Sequence, residues 1–230
     1  MTIEEYFGDW ANVIDLNQAD SIIKRLSTSR EIVCPRLKDV FKAFKLCSLS
    51  NLTVVVIGMD PYPNLINGKP VATGIAFANS SDTPEFRYSP SLKVLKESVI
   101  DYTIPHGIIN FDPTLEEWER QGVLLINSAL SCTLGRTGSH SLLWLPFIKS
   151  FLIKLSTSVK GIVYVLLGSN AKDLRSCIQE DGNLVLCENH PSYYARTKTR
   201  MPSRIWAEVN EFLLKQYNYK IEWFKEERYE

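Results

Sequence analysis

Histidine is scarce in this chain of 230 residues, occurring only as His106, His140 and His190. None of the three stands at metal-ligand spacing from another His or from a Cys. The five cysteines, Cys34, Cys47, Cys132, Cys177 and Cys187, are odd in number and form no C-x-x-C pair. That pattern argues against a disulfide framework and a zinc site, so reduced, buried thiols are expected and no metal. An excess of charge is also lacking. Lys and Arg number 26, as do Asp and Glu, so no global field draws the chain to nucleic acid and any such contact must be local. No apolar run reaches the roughly 18 residues that span a bilayer. The opening stretch MTIEEYFGDW is acidic where a signal peptide would be basic, and a soluble, unsecreted protein with no membrane contact is expected. Repeats, low-complexity tracts and linkers are missing too. With 45% hydrophobic residues, a single domain over 1–230 is the expectation.

What is present is organised around residues 52–64, LTVVVIGMDPYPN. The Val and Ile run reads as a buried strand that Gly58 ends at a turn. Asp60 then sits at the carboxyl end of that strand, where open α/β sheets place ligands, with Pro61 stiffening the turn and Tyr62 beside it. Asp60 either caps a helix there or forms the floor of an active site. Helices are expected at about 18–26, 36–47, 91–100, 115–120, 141–156, 170–179 and 202–216, and further buried strands at 123–126, 162–167 and 184–187. Residues 74–78 form a short apolar run that contains Phe77, and loops are expected at 84–90 and 103–113. Strands alternating with helices predict right-handed crossovers, hence a three-layer α/β/α sandwich around a mainly parallel four-stranded sheet.

Each strand run ends in a polar residue or a turn. Asp60 follows the first, Asn127 the second, Gly168 and Ser169 the third, and His190 the fourth. In a parallel sheet these ends share one edge, so Asp60, Asn127 and His190 converge although distant in sequence. Taken singly, an Asn at a strand end serves equally as a turn former, and a His before Pro as a surface residue. An acid, an amide and an imidazole beside aromatics suit a flat, hydrogen-bonding heterocycle, because Asn donates and accepts together as a nucleobase edge requires.

From about Cys34 to Leu213 the chain resembles family 1 uracil-DNA glycosylase. The family's Gly-Gln-Asp-Pro-Tyr-His motif is similar to Gly58, Met59, Asp60, Pro61, Tyr62 and Pro63. Its Gly-Leu-Ala-Phe segment appears as Gly74 to Phe77, and its Pro-Pro-Ser-Leu loop as Ser89 to Leu92. Its W-x-x-Q-G-V-L-L-L-N segment runs from Trp118 to Asn127. Ser139 and His140 resemble the end of its Asn-Ser-His stretch, and His190, Pro191 and Ser192 its His-Pro-Ser. The resemblance implies release of uracil from single- or double-stranded DNA by base flipping, without a cofactor. Asp60 would orient the attacking water and stabilise a cationic sugar. Tyr62 would exclude the methyl of thymine, Phe77 would stack on the base and Met59 would contribute its backbone amide. Asn127 would read the uracil edge and His190 would donate to the leaving base. Ser91, Ser169 and Ser192 resemble phosphate-gripping positions, and Arg196, Lys198, Arg200 and Arg204 read as a DNA contact beside His190. The resemblance further implies a monomer, a protein inhibitor among its partners, and work in a bacterial cytoplasm or, if virally encoded, a host cell.

The sequence departs from the family in places. Met59 replaces Gln, Pro63 replaces His, and the connection from Asp60 to Phe77 is longer. Aromatic residues stand where the family's intercalating Leu would be, with Tyr194 the candidate wedge. A DNA-binding accessory protein on the same fold is the alternative, although binding alone does not need the carboxylate of Asp60. A mismatch-type glycosylase would carry Asn at that position, and nucleotide hydrolysis would require metal ligands or a Gly-rich phosphate loop.

Overall fold

The computed structural model describes residues 2–102 and 107–227. The core is a parallel sheet of β1 (Val54–Gly58), β2 (Val123–Asn127), β3 (Val163–Leu167) and β4 (Leu184–Glu188), in the order β2-β1-β3-β4. Its strands are runs of β-branched and aliphatic residues because both faces are covered. Side chains alternate between the two faces with period two. Val55 and Ile57, Leu124 and Ile126, and Tyr164 and Leu166 enter one apolar cluster, whereas Val54 and Val56, Val123 and Leu125, and Val163 and Val165 enter the other. The first cluster is completed by helices α1 (Leu16–Ser27) and α3 (Ser141–Ser158), the second by α2 (Pro90–Tyr102) and α4 (Arg204–Tyr217). The layers are therefore α/β/α, as the alternation of runs predicts.

Register decides what the sheet does. Gly58 pairs with Asn127, Ile57 with Leu166, and Leu167 with Glu188, so all four strands end at one edge. The chain passes from β1 to β2 on one side and then to β3 on the other. That reversal opens a crevice at the carboxyl end of β1, where Asp60 lies.

Several expected elements take different forms. The helix expected over 36–47 is a 3-10 turn, Leu37–Asp39, followed by a short helix, Lys42–Leu46. The backbone leaves helical geometry at Phe41 (φ −107°, ψ 23°), and Phe41 meets Phe7, Trp144 and Phe147 in edge-on and tilted contacts. Helix 170–179 likewise shortens to Ser169–Lys172 and a 3-10 turn, Arg175–Cys177. The apolar run 74–78 is buried at residues 75–78. It is a turn laid along β2, with the Ala76 N–H donating to Leu125 O (3.1 Å), Ala78 N–H to Ile75 O (3.3 Å), and Phe77 in the left-handed region (φ 68°). Loop 84–90 contains a 3-10 turn, Glu85–Arg87, and the first four residues of loop 103–113 lie outside the described residues. Helix Pro191–Thr197 and the small ladder pairing Val33–Cys34 with Cys132–Thr133 were not legible in the periodicity. Among the described residues no helix is long and apolar enough to cross a membrane.

The outer edge of β2 would leave backbone groups without partners. Besides Ala76, it is closed by Glu119, whose Oε1 accepts from the Leu125 N–H (3.0 Å) while Oε2 has no partner. Burial raises this carboxyl well above the usual range, which favours the neutral acid in the fold. A raised folded pKa gives stability that is full below the unfolded value and falls as pH rises towards the folded one. Glu119→Gln should therefore gain stability over the wild type as pH rises above the unfolded carboxyl value, by up to about 1.4 kcal/mol per pH unit. Thermal melts of both proteins across that range test this, and a constant difference would mean that Glu119 is ionised in the fold.

Candidate active site

The crevice narrows into a pocket whose walls include Asp60, Tyr62, Phe77, Ser91, Asn127 and His190. Two glycines make that convergence sterically feasible. A Cβ on Gly58 would lie 2.5 Å from Asn127 Oδ1 and 2.7 Å from Phe77 Cζ, so the bare end of β1 is what lets both side chains cross it. Gly168, in the left-handed region at φ 94°, would place a Cβ 2.8 Å from that of His190. Phe77 also holds φ 68°, a sparsely populated conformation for an aromatic residue that the surrounding contacts enforce. The Tyr62 hydroxyl helps by donating to Phe77 O (2.9 Å), and burial pushes that phenol above its ordinary range.

Asn127 is 8% exposed, and none of the described residues hydrogen-bonds its side-chain amide. With neither its donor nor its acceptor used by the described residues, this amide faces the pocket and is available to a ligand. His190 is the N-cap of helix Pro191–Thr197, where its Nδ1 accepts from the Ser192 N–H (3.2 Å) and pairs with Ser192 Oγ (2.8 Å). An amide N–H only donates, so the ring proton resides on Nε2. Burial, reinforced by the Arg196 charge, lowers the His190 pKa to about 4, which keeps the imidazole neutral at physiological pH. Its ring leans over Phe77 with centroids 5.5 Å apart.

Asp60 is half-buried, and burial raises its carboxyl above the usual range while the Gly138 N–H, donating to Oδ2 at 2.6 Å, opposes that shift. Sequence reasoning did not find Gly138, since a backbone donor has no side-chain signature. The turn that carries it is held by a chain of bonds whose directions can be assigned. Trp144 Nε1–H donates to Ser131 Oγ (2.8 Å), leaving that hydroxyl to donate to His140 Nδ1 (2.9 Å). Thr133 Oγ1 donates to the Glu31 carboxylate (2.8 Å), so His140 Nε2–H must donate to Thr133 Oγ1 (3.1 Å). Arg136 pairs with the same Glu31, and Ser139 Oγ accepts from the Thr133 N–H (2.8 Å). Every member is satisfied in one direction only, which rigidifies the turn.

The remaining candidates separate in space. Met59 does not line the pocket; its carbonyl accepts from Ala129 N–H (3.0 Å) and Ser128 Oγ (2.7 Å), tying the β1 and β2 ends together. Ser91 is buried within the pocket, Ser192 is half-buried against His190, and Ser169 and Arg196 are exposed. Tyr194 is not presented to a duplex. It is 7% exposed and its hydroxyl donates to Glu188 Oε1 (2.5 Å), because residue 194 of this helix faces the core. Its neighbour Tyr193, 44% exposed and packed edge-on against it, is the aromatic that reaches solvent. The basic run is also smaller than its sequence, since Arg200 pairs with Asp101 and Arg204 with Glu208, leaving Arg196 and Lys198. Among the described residues no group of three or more His, Cys, Asp or Glu is placed to hold a metal ion.

Comparison with known proteins sets this geometry in context. The family model described as uracil DNA glycosylase superfamily matches residues 44–214. The chain belongs to the uracil-DNA glycosylase superfamily. It is 33% identical to uracil-DNA glycosylase 1 of Listeria innocua over 88% of this chain and 89% of that one. It is 32% identical to uracil-DNA glycosylase of Klebsiella pneumoniae over 93% of each. Among solved structures, mimivirus uracil-DNA glycosylase shares the fold with a TM-score of 0.75 at 20% identity, over 97% of this chain and 93% of that one. A Y322F variant of the mimivirus protein in complex with UGI has a TM-score of 0.76 at 21% identity, over 90% and 80% of the two chains. Gly138 immediately precedes Ser139 and His140, the pair that resembles the end of the family's Asn-Ser-His stretch, and its main-chain N–H is the donor to Asp60.

The bonded turn behind Asp60 carries a direct expectation. His140→Ala should leave the wild-type fold by circular dichroism but free Gly138 from Asp60, lowering turnover about 10-fold or more with little change in KM. His140→Asn, which retains a donor and an acceptor, should recover part of the loss. Equal turnover in all three proteins would show that the turn does not position the carboxylate.

Proposed function

We propose that this chain is a monofunctional uracil-DNA glycosylase, hydrolysing the N-glycosidic bond of deoxyuridine in DNA to free uracil and an abasic site. The observation that carries the reading is the unengaged Asn127 amide, buried in a pocket it shares with an ionisable carboxyl and a neutral imidazole. An amide of this kind matches the adjacent donor and acceptor of a uracil edge and opposes the reversed pattern of cytosine. Phe77 stacks on the flipped base, and Tyr62, fixed by its bond to Phe77 O, excludes a methyl at C5.

As the glycosidic bond breaks, positive charge builds on the sugar and negative charge on uracil. Asp60, ionised and aimed by the Gly138 N–H, orients the water and stabilises the sugar cation. The neutral His190, with its proton on Nε2, donates to the uracil O2 as charge accumulates there. Its neutrality is useful because the bond strengthens chiefly in the transition state, so the contact favours reaction over ground-state binding. Ser192, Ser169, Arg196 and Lys198 grip phosphates flanking the flipped nucleotide in this reading, while Ser91, which lines the pocket, meets that nucleotide inside it. Tyr193 supplies the aromatic wedge. The enzyme acts as a monomer on single-stranded or duplex DNA, in a bacterial or virus-infected cytoplasm, and its partners include a protein inhibitor of the UGI kind.

The primary test is release of free uracil from a uracil-containing oligonucleotide in EDTA, with thymine and cytosine substrates as controls. Uracil alone should be released, and Asp60→Asn should slow it by about 10² to 10⁴. DNA binding without release would favour the accessory-protein alternative. Tyr193→Ala should reduce excision from duplex more than from single strands, whereas Tyr194→Ala should lower the melting temperature. Equal losses on both substrates for Tyr193→Ala would remove the wedge assignment.

A further inference from the structure

The pocket shares a wall with a second concavity. Ala72 lines the pocket, and with Val71 and Thr73 it also borders a groove of about 310 Å³. The groove's other boundaries are the hairpin that pairs Leu65–Ile66 with Lys69–Pro70 and the segment 80–87 that leads into α2. That hairpin lies in the stretch between Asp60 and Phe77 that is longer here than in the family pattern.

The charge of the groove is unbalanced. Arg36, Lys42, Lys69 and Arg87 line it against Asp39 and Asp82. Lys42 is engaged by Glu116 at 2.8 Å. Arg36, Lys69 and Arg87 are exposed and have no ion-pair partner among the described residues. Of the two acids, Asp82 lies close enough to Lys69 for the lysine to help lower its pKa, after the Ser80 hydroxyl. Three cations thus line the groove without an ion pair among the described residues, one of them, Arg87, also lying over the Phe86 ring (5.5 Å), and guanidinium is the side chain best shaped to hold phosphate.

Geometry narrows the choice of ligand. A strand whose base fills the pocket must carry its next phosphates outward over one of the pocket's walls. At the His190 wall stand Ser192, bonded to the ring, and Arg196, whose charge His190 feels; the wall at residues 71–74 has this groove. We propose that the groove is a phosphodiester track for the DNA strand on one side of the flipped nucleotide, held by Arg36, Lys69 and Arg87. It rests on the glycosylase reading of the pocket and adds a second anchoring arm that the hairpin builds. A chain of zero net charge thus grips DNA by local asymmetry.

The test uses the full chain and a variant carrying Arg36→Gln, Lys69→Gln and Arg87→Gln together. Uracil release is followed on three single strands: a minimal one with a single nucleotide on each side of the uracil, and two extended in the 5′ or the 3′ direction only. Rates are measured across a KCl series. The variant should match wild type on the minimal strand. On one extended strand its log–log dependence of kcat/KM on salt should be shallower by about 2, three contacts at ~0.7 each. Unchanged salt dependence on both extended strands would overturn the track, and so would an equal change on both, which marks a diffuse field. Failure of the wild type to release uracil from any strand would overturn the glycosylase reading itself.

Discussion

The pairing of Gly58 with Asn127 is the contact on which the rest of the site depends. It aligns the ends of β1 and β2, and the missing side chain at Gly58 leaves the space that Asn127 and Phe77 occupy. A slip of one residue would turn Asn127 to the other face of the sheet. The hydrophobic alternation on both faces forbids that slip, because it would move each strand's aliphatic set from one packed cluster into the other. Core packing therefore maintains the functional geometry.

Burial then acts on the two ionisable groups in opposite directions with one consequence. It raises the carboxyl of Asp60 and lowers the imidazole of His190, in each case disfavouring the charged form. The main chain answers each shift with a single N–H. Gly138 donates to Asp60 and so supports its ionised form, whereas Ser192 donates to His190 Nδ1 and assigns the proton to Nε2. A carboxyl supported in its ionised form and a neutral donor thus line the same pocket. Such preorganised dipoles stabilise a transition state without reorganising during it.

The same economy of charge governs the surface. With cations and anions equal in number, DNA attraction has to come from placement. Arg200 and Arg204 are neutralised by neighbours, while Arg196 and Lys198 on one flank and Arg36, Lys69 and Arg87 on the other have no ion-pair partner among the described residues. The second group lines the groove that borders the pocket at Ala72.

Sequence by itself determined the α/β/α layering, the four strands and the convergence of Asp60, Asn127 and His190. Each rests on a local signal: aliphatic runs of strand length, and polar residues immediately after them, which a parallel sheet must bring to one edge. Motif resemblance added Tyr62, Phe77 and Ser91, which line the same pocket. What tertiary structure decided depends on partners distant in the chain. The expected helix over 36–47 broke because Phe41 packs with aromatics from two other elements, and no periodicity within one segment records that competition. Tyr194 and Tyr193 are chemically alike and adjacent, so only the docking of their helix decides which is buried. Gly138 was invisible because its contribution is an amide N–H that every residue except proline possesses. Its importance comes from a turn held by Glu31, Ser131, Thr133 and His140, brought together by a two-residue ladder whose strands lie about a hundred residues apart.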